Sequence, residues 1–350
     1  MEQAKRIIKY NGQELETTFF YDLTDEQFNE LRNEYYKKPK FEDVINQFFQ
    51  IRDFGMKNDL ITDYYVKDLM AKTKLYHSKW SIEDVFNCKE LLGHFYAKTL
   101  ANDKVYPKTN SIIDNITTAF RLGGKGVASK PSNFPLEVVD DILEQYNING
   151  NWYDFSCGWG ARLTGALRNR VNYFGTDPNY LLTARLQQLA SDYKKIFKKD
   201  YTVDIRTQGS EIFVPEWENT IGLAFSSPPY FYLEDYKIGN QSWKEGTTYK
   251  EWQDNYLRPT FINIHRYLVD NGAFILNINN FDKYDLVEDC IKIAEQCGFS
   301  YVQNHKLKNI KRINEKTELN DNSETIMVFM KQGHEQNARK SYQVSLFELL

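Results

Sequence analysis

The sequence predicts an α/β fold, in which a doubly wound and mostly parallel sheet follows a helical N-terminal region. Three observations support this prediction. Strand-like and helix-like segments alternate from Asn133 onward, which is typical of parallel sheets covered by helices. Three of the strand-like segments end in loops rich in Gly, Pro or acidic residues. The last two strand-like segments have no helical pattern between them, so they indicate an antiparallel hairpin at one edge.

Apolar periodicity and turn residues place the elements of this region. Helices are predicted at 136–146, 158–168, 181–197, 249–268 and 283–297. Strands are predicted at 152–155, 173–176, 202–206, 221–226, 272–278, 301–307 and 324–330.

The N-terminal region has signals of its own. Asn11-Gly12 separates two strand-like runs within residues 5–20, which predicts a β-hairpin. Thr24 and Ser81 are predicted helix N-caps, with helical spacing continuing to about residue 100. The Gly-rich segment 122–127 lacks the phosphate-loop pattern, and we favour a flexible link over a lid. These patterns predict three parts: a mainly helical region at 1–110, an α/β domain at 111–332 and a tail at 333–350.

Composition narrows the function. The net charge of −4 argues against a protein that binds polyanions non-specifically over its whole surface. Aromatic residues make up 15% of the chain, and core packing explains them better than base-stacking surfaces do. The four cysteines form no CxxC pair and fit no zinc pattern, so we expect free thiols and no metal. Without an apolar run of about 20 residues or a signal-peptide core, the expected location is the cytoplasm, with no membrane contact.

The first candidate site is the segment Asp154–Gly160, DFSCGWG, between a predicted strand and a predicted helix. Glycines at such a point let the backbone approach a ligand, and the helix N-terminus presents N–H groups to it. The third glycine of the dinucleotide fingerprint is absent because position 163 is Leu, which makes a nicotinamide dehydrogenase the least favoured alternative.

The second candidate is Asp177, at the end of the next strand and about 20 residues past the Gly loop. An acidic residue in this place accepts hydrogen bonds from ribose hydroxyls. Asp-Pro is also a good turn, but the position of the Gly loop favours the ribose role.

The third candidate is Ser226-Ser227-Pro228-Pro229-Tyr230-Phe231, after an apolar strand. Two successive prolines remove two backbone donors and fix the chain, which leaves carbonyl acceptors beside a small hydroxyl and an aromatic ring. These groups suit an amino group on a planar ring, and the alternative is a stiff loop without chemistry.

Together the three sites resemble those of the amino-methyltransferases that act on adenine N6 or cytosine N4. The resemblance spans roughly residues 128–332 and implies a Rossmann-like methyltransferase sheet that binds S-adenosyl-L-methionine. The segment KPSNFP before the first helix resembles the family's extra cofactor motif, and QGSE at 208–211 falls where the family contacts adenine. The implied cofactor contacts are Phe134, Pro135, Asp154, Ser156, Cys157, Gly158, Gly160, Asp177, Gly209 and Ser210, and the implied catalytic residues are Ser227, Pro228, Pro229 and Tyr230.

Serine at position 227 resembles the cytosine-N4 branch, whereas the adenine branch usually has Asp or Asn there. The resemblance therefore implies a nucleic-acid partner, DNA first, as in restriction-modification systems. Most cytosine-N4 enzymes place the catalytic loop before the cofactor loop, and this chain has the reverse order. An RNA base amino-methyltransferase and a non-catalytic specificity subunit that retains the fold stay as alternatives. The oligomeric state is not determined by the sequence.

Overall fold

The computed structural model describes residues 5–54, 59–101, 111–122, 126–238, 240–280, 282–305 and 325–331. The chain divides into two compact units. The first comprises Met1–Gln47, Asp59–Asn133 and Tyr232–Gly239, and the second comprises Phe48–Asn58, Phe134–Phe231 and Asn240–Leu350. The predicted domain boundary at 110 and the predicted tail at 333–350 lie outside the described residues, as do residues 123–125 of the Gly-rich segment.

The strands within the described residues are β1 Arg6–Tyr10, β2 Gln13–Thr17, β3 Lys74–Leu75, β4 Asn151–Asp154, β5 Asn172–Asp177, β6 Val203–Thr207, β7 Ile221–Ser226, β8 Glu234–Asp235, β9 Leu268–Ile278, β10 Phe299–Asn304 and β11 Thr325–Lys331. The helices are α1 Asp25–Tyr36, α2 Phe41–Phe54, α3 Asp59–Tyr65, α4 Lys67–Lys72, α5 Ile82–Asn87, α6 Lys89–Ala101, α7 Ile112–Leu122, α8 Leu136–Tyr146, α9 Ala161–Asn169, α10 Tyr180–Phe197, α11 Tyr249–Trp252, α12 Arg258–Tyr267 and α13 Leu286–Gln296. A 3₁₀ turn spans Pro215–Trp217, and a π turn, Gln253–Leu257, joins α11 to α12.

The second unit is built on a seven-stranded sheet with the order β10-β11-β9-β7-β4-β5-β6. Strands β9, β7, β4, β5 and β6 are parallel, and β11 is antiparallel to both of its neighbours. The doubly wound α/β class and the antiparallel last strand are therefore confirmed. The strand order reverses at β4, next to β7, and ligands bind at such switch points in open parallel sheets.

The central strand β7 explains why the sheet forms here. All six of its residues are buried, so an apolar run such as IGLAFS is stable only with cover on both faces. The predicted bounds of β7 and α8 are the observed ones.

Several predicted bounds differ from the observed ones: for example, α13 spans Leu286–Gln296 rather than 283–297, and β9 begins at Leu268 rather than at 272. Gly158 and Gly160 have φ of 56° and 85°, outside the helical range, and α9 therefore begins at Ala161 rather than at 158. The helix predicted at 249–268 ends at Tyr267, because Leu268 already pairs with Ile221 as the first residue of β9.

The first unit confirms the N-terminal predictions. Asn11 and Gly12 both have positive φ and connect β1 to β2. Thr24 and Ser81 both form capping boxes, with Gln27 and Asp84 respectively. No helix in the described part of the chain is long and apolar enough to cross a membrane.

Candidate functional site

The three loops predicted as a site all leave the same edge of the sheet. In the parallel register Asp154 lies beside Gly175, and Asp177 lies beside Thr207. Tyr153 lies beside Ala224 of β7, so the loop after β7 emerges next to the loop after β4. The fold thus brings together the carboxyl ends of β4, β5, β6 and β7, where a ligand can meet all four loops.

The Asp154 carboxylate is fully buried and organises the first loop. One oxygen accepts hydrogen bonds from Ser226 Oγ at 2.7 Å and from the Ser156 N–H at 3.3 Å. The other accepts from Arg162 Nε at 2.9 Å and from the Tyr173 hydroxyl at 2.8 Å. With both oxygens hydrogen-bonded, the buried carboxylate fixes the conformation of the loop that follows β4.

Arg162 is a site residue that the sequence reasoning missed. Its guanidinium is buried in α9, forms an ion pair with Asp154 and also donates to the Ser156 carbonyl. It lies 5.6 Å from the centre of the Phe134 ring, a cation–π distance. Its signal in the sequence is an arginine in the otherwise apolar first turn of α9.

The first loop also needs its glycines. Gly160 is the N-cap of α9 with φ of 85°, and a Cβ there would meet Leu186 Cδ2 at 2.7 Å. Cys157 is buried, its N–H donates to the Thr176 carbonyl at 3.3 Å, and burial raises the pKa of its thiol well above the usual range. The side chain of Cys157 is therefore packing, and the loop offers a ligand mainly its backbone at Gly158.

Asp177 ends β5 with its carboxylate beside this loop. It accepts a hydrogen bond from the Asn179 N–H at 2.9 Å, and the Gly158 N–H is close enough to favour its ionised form. Burial raises the pKa of Asp177 to about 7, helped by the negative charge of Asp154, while the two N–H groups act in the opposite direction. A carboxyl group at this pKa is half ionised near neutral pH, so the occupancy of a ligand that needs an anionic acceptor depends on pH.

Asp177 gives the first testable prediction. If its ionised form accepts ribose hydroxyls, affinity for S-adenosylhomocysteine should rise roughly tenfold from pH 6 to pH 8, as the ionised fraction grows from about a tenth to about nine tenths. Asp177→Asn should remove this pH dependence and weaken binding at pH 8. Isothermal titration calorimetry at three pH values measures both effects, and an unchanged pH profile in the variant would contradict the role.

Asp177 should also make the stability of the ligand-free protein depend on pH, in the opposite direction to its effect on ligand affinity. The folded-state pKa lies above the usual value of 3.8, so the carboxyl group favours folding below pH 4, and this contribution is lost as pH rises through 7. Without ligand, Asp177→Asn should therefore melt higher than the parent protein at pH 8, and the difference should shrink at pH 5.

The loop after β6 carries Gly209 and Ser210, the predicted adenine contacts. Ser210 is buried, and its hydroxyl is hydrogen-bonded to the Thr260 hydroxyl at 2.8 Å. The Asn263 amide donates to the Ser210 carbonyl at 2.9 Å. Helix α12 thus fixes this loop through Ser210, which directly follows Gly209.

The loop after β7 holds the predicted catalytic residues. Ser227 is half-buried, and its Oγ accepts a hydrogen bond from the Asn277 amide at 3.3 Å. The Tyr230 hydroxyl accepts from the Asn279 N–H at 2.9 Å, which fixes the far end of the ring. Asn277, a buried polar residue of β9 directly after the apolar run 273–276, was missed, although an Asn after such a run is a recognisable signal.

The aromatic residues next to these loops pack against other aromatic rings of the protein. Phe231 is buried and packs on Tyr249, Trp252 and Tyr284 at centroid distances of 5.4–5.8 Å. Among the predicted cofactor contacts, Phe134 packs edge-on against Phe225 at 5.5 Å, and Pro135 is the exposed N-cap of α8.

Two basic residues, Lys250 and Arg258, lie on the helical segment that follows this loop. Lys250 pairs with Asp254 at 2.7 Å, and Arg258 donates to Gln296 at 2.8 Å. Both side chains already have acidic or amide partners within the protein.

The chain is similar to known proteins in structure but not in sequence. No protein-family model matches this chain, and no curated protein matches it in sequence. It is similar to a TehB-like S-adenosylmethionine-dependent methyltransferase from Corynebacterium glutamicum, with 15% identity, 57% of this chain and 89% of that chain covered, and a TM-score of 0.38. A magnesium protoporphyrin IX methyltransferase from Synechocystis has 11% identity, with 67% and 90% covered and a TM-score of 0.37.

The [4+2]-cyclase SpnF is also similar, with 14% identity, 49% of this chain and 60% of that chain covered, and a TM-score of 0.36. This cyclase and the two methyltransferases are thus about equally similar to the chain. Similarity at this level carries no argument about the reaction, which is inferred below from the site residues.

Proposed function

We propose that this protein transfers a methyl group from S-adenosyl-L-methionine to an exocyclic amino group of a DNA base, cytosine N4 first and adenine N6 second. The observation that carries the proposal is the hydrogen bond of 2.7 Å between Ser226 Oγ and Asp154. It joins the Ser-Pro-Pro-Tyr loop directly to the Gly loop, so an acceptor for an amino group lies next to a backbone suited to a cofactor.

The residues fit the cofactor. Positive φ at Gly158 and Gly160 lets the loop present its backbone without side chains, and α9 begins directly after it. Asp177 supplies an acceptor for ribose hydroxyls, and the Ser210 loop borders the neighbouring strand end. When bound, S-adenosyl-L-methionine supplies a methyl group on a positively charged sulfur.

The catalytic loop then has to hold and orient a weakly nucleophilic amine. A serine hydroxyl has two acceptor lone pairs, and Asn277 occupies one of them at Ser227. The other is left for an amino N–H, and the Pro228 carbonyl takes the second N–H. Holding both hydrogens draws the nitrogen toward tetrahedral geometry and aims its lone pair. The rate enhancement comes from positioning and fixed dipoles, without a strong base.

Tyr230 is proposed as the surface on which the base stacks. Its hydroxyl is tied to the Asn279 N–H, so the ring keeps its orientation before the substrate arrives. A base in duplex DNA reaches this ring only after leaving the stack, at a cost of a few kcal/mol. Single-stranded or mismatched substrates are therefore expected to react faster than perfect duplex.

The test is a methyl-transfer assay. Purified full-length protein and tritiated S-adenosyl-L-methionine are mixed with unmethylated DNA or with tRNA, followed by digestion to nucleosides and mass spectrometry. N4-methylcytosine or N6-methyladenine in DNA supports the proposal and names the base. Label in RNA alone would replace DNA by RNA as the substrate. Absence of any binding of S-adenosyl-L-methionine by calorimetry would overturn the cofactor assignment itself.

A further inference from the structure

A buried tyrosine beside the site has an unsatisfied hydroxyl. The Tyr256 side chain is 6% exposed, and its hydroxyl makes no hydrogen bond with any residue that the structure describes. A buried polar group in this state costs free energy unless a partner arrives. It lies in the π turn Gln253–Leu257, and such turns inside helices are frequent at functional sites.

The position of Tyr256 on its helix points to the site. Tyr256, Thr260 and Asn263 follow one another at spacings of four and three, so they share one helix face. Thr260 and Asn263 both hydrogen-bond to Ser210. The helix ends at Tyr267, directly before β9 begins at Leu268, and β9 is parallel to β7, so the earlier residues of the helix lie toward the carboxyl edge of the sheet. Tyr256 therefore lies one turn closer to the carboxyl edge than the groups that hold Ser210.

The surroundings of the hydroxyl are the two loops that flank the cofactor site. The side chains of Ser210, after β6, and Ser156, after β4, lie near it without meeting hydrogen-bond geometry. Burial raises the pKa of Tyr256, and these two serines oppose the rise. The hydroxyl is therefore protonated at neutral pH and available as a donor to either loop.

We propose that Tyr256 is a positioning residue that gains its hydrogen bond only when the cofactor occupies the site and brings the Ser156 and Ser210 loops into contact with the tyrosine hydroxyl. The inference rests on the proposed function, because it assigns Tyr256 to the binding of the same cofactor. In the ligand-free protein the buried, unsatisfied hydroxyl raises the free energy of the folded state. Binding relieves this cost, and the relief adds to affinity.

Tyr256→Phe tests the inference, because it removes only the hydroxyl. The ligand-free variant should melt at the same temperature as the parent protein or higher, since a buried unsatisfied group is gone. Its affinity for S-adenosylhomocysteine should fall about tenfold, since the hydrogen bond of the bound state is lost. Calorimetry measures the affinity, and thermal melting with and without ligand measures the stability.

Tyr201→Phe is the matched control. The Tyr201 hydroxyl donates to the Leu167 carbonyl at 2.9 Å, away from the loops of the site. This variant should melt lower than the parent protein and bind S-adenosylhomocysteine equally well. The opposite signs separate a residue that acts through the ligand from one that acts on the fold.

Three outcomes decide the matter. Higher or equal melting with weaker binding for Tyr256→Phe supports the proposal. Unchanged binding by the variant, or a clear loss of ligand-free stability, overturns it while the proposed function stands. If the parent protein itself fails to bind S-adenosylhomocysteine, the proposed function fails and the inference fails with it.

Discussion

Replacement of Arg162 by methionine is expected to cost about 3–5 kcal/mol of unfolding free energy, the largest stability effect at the site. The guanidinium and the Asp154 carboxylate form an ion pair of 2.9 Å, with side chains 7% and 0% exposed. Methionine fills much of the volume but leaves a buried carboxylate without its cationic partner. Urea unfolding followed by circular dichroism measures the change, and cofactor affinity should fall too, because Arg162 also holds the Ser156 carbonyl.

Arg168→Met is the matched control on the same helix. Arg168 pairs with Asp140 at 2.8 Å, but these side chains are 21% and 27% exposed. Partial solvation makes such a pair worth about 1 kcal/mol or less. The double variant Arg162→Met with Asp154→Asn should recover part of the loss, since the uncompensated charge is removed. Equal losses for the two arginine variants would refute a special role for the Arg162–Asp154 pair.

Replacement of Ser227 by alanine is expected to lower kcat about 10²–10³-fold, the size seen when one preorganised polar contact to the reacting group is lost. Affinity for S-adenosylhomocysteine and the melting temperature should stay near the parent values, because the hydroxyl is half-buried and its described partner is a single long contact of 3.3 Å from Asn277. Single-turnover kinetics with the substrate found by the transfer assay measures the effect on chemistry.

The Ser226→Ala variant is the control at the adjacent position, because it should lower the stability of the protein, whereas Ser227→Ala should lower turnover. Ser226 is fully buried, and its hydroxyl donates to Asp154, so its loss removes one donor from a buried carboxylate. This variant should melt lower by roughly 2–6 °C, for a loss of about 1–2 kcal/mol.

A Ser227→Ala enzyme with full turnover would show that the amino group is held elsewhere.

Much of the fold could be predicted because it is encoded locally. The two capping boxes at Thr24 and Ser81 and the Asn11-Gly12 turn each depend on residues within four positions. Alternating apolar segments set the strands and helices, and a parallel sheet places the ends of its strands on one edge. The predicted loops therefore had to meet, whatever the details of packing.

Most of the contacts that the sequence reasoning missed join residues far apart in the chain, whereas Arg162 is only eight residues from Asp154. Ser226 and Asp154 are 72 residues apart, Asn277 and Ser227 are 50 apart, and Asn263 and Ser210 are 53 apart. Patterns in a short window contain no information on such pairs, since nothing local distinguishes Thr260 or Tyr256 from other helix residues. The hydrogen bonds of Asp154 could not be predicted for the same reason, because its four donors come from four different parts of the chain.

By itself, the sequence determined the class of sheet, the order of its loops and the residue types that the edge presents, since these follow from periodicity and turn chemistry. Only the tertiary structure decided which polar groups are already satisfied: the Asp154 carboxylate is filled by four donors, and the Tyr256 hydroxyl has none among the described residues. Burial and hydrogen-bond geometry depend on neighbours brought together by folding. They separate the groups that hold the site from those left to bind a ligand.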